Sequence, residues 1–313
     1  MEIRNLGTSG LRVSAIGLGC NNFGGRIDLE ATRRVIHKAH DLGITLFDTA
    51  DVYGELGGSE TCMGQVLGDM RKSIVLATKF CMPMAADGTK QGASRRYIMQ
   101  AVEASLTRLQ TDYIDLYQVH RFDPLTPIEE TMRALDDLVR QGKVRYIGCS
   151  NWASWQMTEA AWISRGAGVE HFVSCQDEFS LVVRDAEKEL MPAARHLGMG
   201  LLPYFPLASG LLTGKYRRNA PMPEASRLTT TSRLADRYLT DKNWAISEKL
   251  IDYAEQNGHT ALELAFSWLL AQAPVSSVIA GATKPEQLEQ NVKAGNWAMT
   301  AADLAAIDAI TAG

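Results

Sequence analysis

The sequence predicts an α/β protein of the (β/α)8 TIM barrel type, and three patterns carry that expectation. Eight short β-rich runs recur along the chain, at 15–18, 44–47, 74–77, 114–117, 144–147, 172–175, 200–203 and 277–279. Most are near-continuous apolar runs rather than alternating ones, which is how strands covered on both faces read in a parallel sheet. Helical patterns separate them in units of roughly 25–35 residues, so the connections are right-handed crossovers. The fingerprint of an open, doubly wound nucleotide-binding sheet is missing. Its nearest candidate, Gly17-Leu18-Gly19-Cys20-Asn21-Asn22, has Asn22 where a third glycine belongs.

Each element has a local reason. Residues 1–14 contain Gly7-Thr8-Ser9-Gly10 between two short β-like runs, which predicts a hairpin plugging the bottom of the barrel. The first helix, 29–42, stops at Gly43, immediately before the second strand. Thr126-Pro127-Ile128-Glu129 predicts a helix start with Thr126 as N-cap, Pro127 in the first turn and Glu129 closing a capping box. Ile128, Met132, Leu135 and Val139 then form one apolar face, and Gly142 sits where a left-handed residue ends the helix. Residues 209–243 break the rhythm with a long polar stretch, a length that is usually functional. With no linker and no low-complexity tract, residues 1–313 are expected to form a single domain.

Composition narrows the function. The 313 residues are 46% hydrophobic and 22% charged, with a formal net charge of −4. That balance offers no broad basic face to nucleic acid or an anionic membrane. No apolar stretch is long enough to span a bilayer, and Met1-Glu2-Ile3-Arg4-Asn5 has no signal core. The cysteines Cys20, Cys62, Cys81, Cys149 and Cys175 are odd in number and form no C-x-x-C pair. Free thiols in a reducing cytoplasm are the simple expectation.

Barrel chemistry belongs at the carboxyl ends of the strands. The second predicted strand is followed by Asp48, Thr49, Ala50, Asp51, Val52 and Tyr53, the third by Lys79 and the fourth by His120. Taken singly, a post-strand tyrosine usually packs, a lysine is usually solvated and a histidine often caps. Together, an acid, a phenol, an amine and an imidazole fall on one rim. A metal site from His120 and Asp48 is not expected, because H-E-x-x-H and C-x-x-C patterns are absent.

These segments carry a resemblance. Phe47-Asp48-Thr49-Ala50-Asp51-Val52-Tyr53-Gly54 resembles the F-D-T-A-x-x-Y-G segment of the aldo-keto reductase superfamily. Gly57-Gly58-Ser59-Glu60, Ala77-Thr78-Lys79, Asp115-Leu116-Tyr117-Gln118-Val119-His120 and the run from Gly142 to Asn151 are similar to further family motifs, in order. The resemblance implies a catalytic tetrad of Asp48, Tyr53, Lys79 and His120. Tyr53 would be the general acid toward a carbonyl oxygen. Lys79 would lower the phenol's pKa, Asp48 would hold Lys79, and His120 would orient the carbonyl and stabilise the growing oxyanion.

The resemblance also implies NADP(H), with no metal. Ser150, Asn151 and Gln176 are expected around the nicotinamide, with Tyr204 stacked on its ring, and Gly19 is a further expected cofactor contact. Phe205 departs from the family pattern, which often has serine there. Leu207, Ser209, Gly210 and Lys215 resemble the pyrophosphate loop, and residues 209–243 would close over the dinucleotide as a belt. Gly281, Thr283, Lys284, Gln287, Gln290 and Asn291 are expected at the adenosine end, with Lys284 as the main cation for a 2′-phosphate and a helix over 286–294. Asn22, Phe23, Arg121 and Trp152 are expected as substrate walls, with Phe80 and Phe122 nearby. The implied function is NADPH-dependent reduction of aldehydes or ketones by a cytoplasmic enzyme acting on small-molecule carbonyl substrates. An NAD(P)-dependent sugar dehydrogenase on the same fold is the alternative. A regulatory protein resembling voltage-gated potassium channel β subunits is a further one. Those carry an N-terminal blocking peptide, whereas here the hairpin is expected to begin by Arg4. None of these features sets an oligomeric state.

Overall fold

A computed structural model describes residues 1–218, 220–224 and 226–312. Its centre is an eight-stranded parallel sheet rolled into a barrel. Two short strands, β1 (Ile3–Asn5) and β2 (Arg12–Ser14), pair antiparallel ahead of it. The barrel strands are β3 (Ile16–Gly19), β4 (Leu46–Asp48), β5 (Val75–Phe80) and β6 (Ile114–Val119), followed by β7 (Val144–Ser150), β8 (Phe172–Glu178), β9 (Gly200–Tyr204) and β10 (Val278–Gly281). They run in the order β10-β3-β4-β5-β6-β7-β8-β9. The seam between β9 and the approach to β10 is stitched by Leu201 N donating to Pro274 O at 3.0 Å and Ser276 N donating to Leu201 O at 3.0 Å.

All eight predicted strands are present, but each ends one to three residues later than its apolar run does. The reason is chemical. Asp48, Lys79, Gln118, Ser150 and Gln176 continue the ladders, and a search for apolar residues stops short of them. Side chains alternate along a strand. Leu46 and Asp48, Ala77 and Lys79, Leu116 and Gln118, and Leu202 and Tyr204 are therefore successive members of one inward-facing row. The lower members form a buried cluster with Val75, Val173 and Ile279. Leu6 and Val13 of the N-terminal hairpin belong to the same cluster and are fully buried. The hairpin is thus the barrel's floor, as expected.

Helices cover the outside. In Leu29–Asp41, Asp28 caps Ala31 N at 2.8 Å, and Thr32, Val35, Ile36 and Ala39 face the sheet. Gly43 then takes φ +76°, the left-handed conformation that ends the helix. One predicted cap is corrected. The helix Ile128–Arg140 has Pro127 as its cap residue and no side-chain cap. Thr126 Oγ1 instead donates to Asp123 Oδ2 at 2.8 Å, because Asp123 organises the preceding turn. The segment 209–243 is not a plain loop. Described parts of it carry the short helices Ala208–Thr213, Arg227–Thr230 and Ser232–Tyr238, while Asn219 and Ala225, like Gly313, lie outside the described residues. Tyr238 anchors it, donating its hydroxyl to Glu178 Oε1 at 2.5 Å, beside an Arg237–Glu178 ion pair. Among the described residues no helix is long and apolar enough to cross a membrane.

Candidate active site

The upper members of the inward rows build the floor of a cleft of about 680 Å³ at the carboxyl end of the barrel. That volume suits a ligand larger than a simple metabolite. Asp48 and Lys79 are 3% and 0% exposed, and they pair, Nζ to Oδ2, at 2.6 Å. Lys79 also donates to Thr49 O at 2.8 Å. The second carboxylate oxygen of Asp48 accepts from Gln118 Nε2 at 3.1 Å and from Gln176 Nε2 at 3.0 Å. A buried charge pair persists only when its remaining valences are filled, and here four strands, β4, β5, β6 and β8, fill them. Burial, the largest single influence, would lower the pKa of Lys79, but the charge and hydrogen bond of Asp48 together with other neighbouring groups outweigh it, and the ammonium is held above its ordinary value.

Tyr53 and His120 stand over this pair. Their rings meet edge to face with centroids 5.6 Å apart, and Lys79 Nζ lies 5.1 Å from the centre of the Tyr53 ring. The turn that follows Tyr53 is unusual: Gly54, Glu55, Leu56 and Gly57 all have positive φ. Only glycine fits at Gly54, where a Cβ would fall 2.3 Å from Phe23 O and 2.5 Å from Ser59 N. Holding Glu55 and Leu56 at φ +60° and +67° is costly for L-residues, and the packed turn fixes where the phenol points.

Lys79 acts on Tyr53 in the expected direction, but burial acts more strongly. Burial is the largest influence on Tyr53 and pushes its hydroxyl above the ordinary phenol value, although Lys79 pulls the other way. The ligand-free cleft therefore keeps Tyr53 protonated. His120 is pushed down to about 3, by burial first and then by the charges of Lys79 and Arg121. Its imidazole is neutral throughout the physiological range, and its Nδ1 is buried without a partner among the described residues.

Around this centre the cleft collects most of the residues expected for a dinucleotide. Gly19, Ser150, Asn151, Gln176 and Tyr204 line one part. Asn151, at φ +56°, donates to His120 O at 3.0 Å and accepts from the Tyr204 hydroxyl at 2.8 Å. Leu207, Ser209, Gly210 and Lys215 line a second part, where Ser209 Oγ is buried and unpartnered among the described residues. Gly281, Thr283, Gln287, Gln290 and Asn291 line a third. A hydroxyl without a partner, beside a glycine and a lysine, suits a phosphate oxygen, so these side chains fit a dinucleotide.

Other expectations need correction. Lys284 is exposed and lies outside the cleft lining, because it caps the helix Pro285–Ala294, which starts one residue before the expected 286. Gln287 lines the cleft, but its Oε1 accepts from Thr283 N at 2.7 Å and Lys284 N at 3.2 Å. Of the expected substrate walls only Asn22 lines the cleft, and it donates to Ala282 O at 3.3 Å. Phe23 is fully buried. Trp152, 3% exposed, packs edge to face between Phe122 and Phe172. Arg121 is exposed and lies outside the cleft lining, and Phe80 stacks on Tyr117 in the core. Aromatic residues next to a motif go into the core when their strand or loop turns inward beneath the rim. Gln118, Arg26, Ser226 and Arg227 were not expected at the site. Gln118 alone carried a signal, the step of two from Leu116 toward His120.

Comparison with known proteins identifies the family. The sequence model of the Aldo/keto reductase family matches residues 15–312. The chain belongs to the aldo/keto reductase family. It is 39% identical over 305 residues to an uncharacterized oxidoreductase of Bacillus subtilis, an alignment covering 94% of this chain and 91% of that protein. It is 38% identical over 301 residues to a probable voltage-gated potassium channel subunit beta of Arabidopsis thaliana, covering 94% and 91%. A putative channel subunit beta of Schizosaccharomyces pombe is 39% identical over 310 residues, covering 94% and 88%.

Proposed function

We propose that this aldo/keto reductase family member reduces aldehydes or ketones to alcohols with NADPH, with Tyr53 as the proton donor. The observation that carries the reading is the meeting of Asp48, Lys79, Tyr53 and His120 at one end of a dinucleotide-sized cleft. Bound NADPH would supply the hydride. The chain's own groups do the rest. Neutral His120 orients the carbonyl, and protonated Tyr53 delivers a proton to its oxygen as negative charge develops there. Lys79 stabilises the phenolate left behind, and Asp48 keeps Lys79 in place. Ser150, Asn151 and Gln176 Oε1 offer polar partners to a carboxamide, with the ring against Tyr204. Ser209, Gly210 and Lys215 hold the phosphates, under the helices of the 209–243 segment. With Lys284 outside the lining, Lys215 is the cation on which NADP preference rests. Running in reverse on a sugar would use the same groups, with Tyr53 as base.

The test is Tyr53→Phe. A loss of about 10²–10⁴ in kcat is expected, with NADPH affinity, followed by fluorescence titration, nearly intact and NADH bound more weakly than NADPH. Turnover close to that of the unaltered protein would remove Tyr53 from its role. A second reading, a regulatory subunit that senses the dinucleotide, is favoured by the relatives named as channel subunits. It takes over if the unaltered protein binds NADPH tightly but reduces no member of a broad carbonyl panel.

A further inference from the structure

The outer face of one helix is unlike the rest of the surface. In the helix Ser154–Ala167, Gln156, Met157, Ala160 and Ser164 are buried against the barrel. Trp155, Glu159, Trp162 and Gly166 follow one another at helical spacing and form a stripe that faces away from it. Trp155 is 60% exposed and Trp162 69%, and they are the only aromatic members of the exposed large apolar side chains among the described residues. Trp155 is propped in place, edge to face against Phe122 with ring centroids 5.9 Å apart. Tryptophans left in water on one stripe are the mark of a contact surface, because burying them is favourable and nothing in the chain itself does so.

The same helix borders a hole. A recess of about 340 Å³ lies between it and the helix Leu190–Leu197, with Ala161, Val169, Phe172, Leu197 and Met199 in its mostly apolar walls. Arg165 lines the recess too and is exposed. Neither Arg165 nor the exposed Glu159 has an ion-pair partner among the described residues. The neighbouring helix Ile128–Arg140, by contrast, pairs its exposed arginines, Arg133 with Glu129 and Arg140 with Asp136. Next to Arg165, Gly166 leaves the helix surface open, since a Cβ there would meet nothing within 4 Å. A knob, a hole, an unpaired acid and an unpaired base therefore stand on one element, with Trp162 midway between the two charges.

We propose that a second copy of this chain docks on this face, as an isologous pair. With Trp162 on the two-fold axis, residues equally far before and after it meet. Glu159 then faces the second copy's Arg165, Thr158 faces the smooth surface at Gly166, and Trp155 reaches Val169 and the apolar recess beside it. Each contact occurs twice. A partner of another sequence would have to supply the same charges and shapes in the same order, and a second copy already carries them. Four indoles at about 150 Å² apiece supply about 600 Å² of the roughly 1,200 Å² that a specific pair buries. The flanking helix surface supplies the rest, and the pair is a weak, reversible one with a Kd on the order of micromolar. None of these residues lines the cleft, so the docked copy leaves the candidate active site open.

The experiment is sedimentation velocity of the full chain over a concentration series that spans the micromolar range. The unaltered protein should pass from monomer to dimer, and Trp162→Ser should raise Kd by about tenfold or more. Glu159→Lys alone and Arg165→Glu alone each set like charges against one another and should give monomers. Mixed in equal amounts, those two variants should form a heterodimer, because each supplies the charge the other lacks. Gly166→Gln should weaken the pair by bulk alone, at a position with room for the side chain. The altered positions are exposed, so urea unfolding midpoints close to that of the unaltered protein establish that each variant is folded. A protein that stays monomeric throughout the series overturns the proposal and leaves the face to a partner of other chemistry. An oligomer that Trp162→Ser and Gly166→Gln both leave intact overturns it as well, by placing the contact on another face. A mixture of the two charge variants that remains monomeric does the same, by removing the meeting of Glu159 with Arg165.

Discussion

Along β4, β5 and β6 the lower and upper rings of the barrel interior are made by the same strands, two residues apart, and share almost no chemistry. The lower ring is Leu46, Ala77, Leu116 and Leu202, closed from below by Leu6 and Val13. The upper ring is Asp48, Lys79, Gln118 and Gln176, tied into one hydrogen-bonded set. The backbone positions are equivalent, so the strands do not explain the difference. What the comparison teaches is a division of labour within one barrel. Non-directional apolar burial below fixes the strand ends, and the strand ends then hold a charge pair that would be too costly on a looser frame.

The sharpest way to break this division is Lys79→Met. It leaves Asp48 buried with its two glutamine donors and no counter-charge. A destabilisation of about 3–5 kcal/mol is expected, read by urea unfolding, together with loss of carbonyl reduction. Combining it with Asp48→Asn should restore most of the stability and none of the activity, because the desolvation penalty disappears along with the ion pair. If the double variant stayed as unstable as the single one, the upper ring would be a structural element in its own right.

Leu6→Ala asks the complementary question of the lower ring. Leu6 is fully buried in the hairpin, at the far end of the barrel from the cleft. Removing it should cost about 2–5 kcal/mol and leave kcat/KM unchanged below the unfolding range. A marked fall in kcat/KM at full folding would show that the plug tunes the site, and the two rings could not be treated separately.

The lower ring was more legible in the sequence than the upper one, for a physical reason. Apolar runs announce strands because burial selects for them, so all eight strands and the hairpin could be read directly. The polar ends of those strands could be read only through motif spacing, which found Asp48, Tyr53, Lys79 and His120. Spacing cannot say which way a motif residue faces. Asp115 belongs to the same motif as His120 but faces outward, accepting from Leu76 N at 3.0 Å and pairing with Arg71 at 2.8 Å. Gln118 faces inward and was passed over. Phe23 and Trp152 looked like pocket walls because they follow strands, yet the chain turns them into the core. Arg26 and Arg227 are far apart in sequence and line one cleft only because two segments fold over it, which no local pattern records.

The last prediction concerns a residue three positions past Asp48, beyond the end of β4. Asp51 is 1% exposed, and neither of its carboxylate oxygens has a partner among the described residues. Burial, then the nearby charge of Glu60, pushes its pKa up to about 8. Glu60 is committed elsewhere, accepting from Thr78 at 2.5 Å and Arg108 at 2.7 Å. Because the folded value lies above the unfolded value of about 4, the native state binds this proton more tightly than the unfolded chain does. The contribution of Asp51 is therefore most favourable below pH 4, declines as the pH rises toward about 8, and is constant above that. Melting temperature should fall between pH 5 and pH 8, and Asp51→Asn should flatten that fall and stabilise the protein by about 1–3 kcal/mol at pH 7. Parallel melting curves for the two proteins across this range would mean that Asp51 finds solvent or a partner, and that the polar upper ring reaches further toward the helices than its hydrogen bonds indicate.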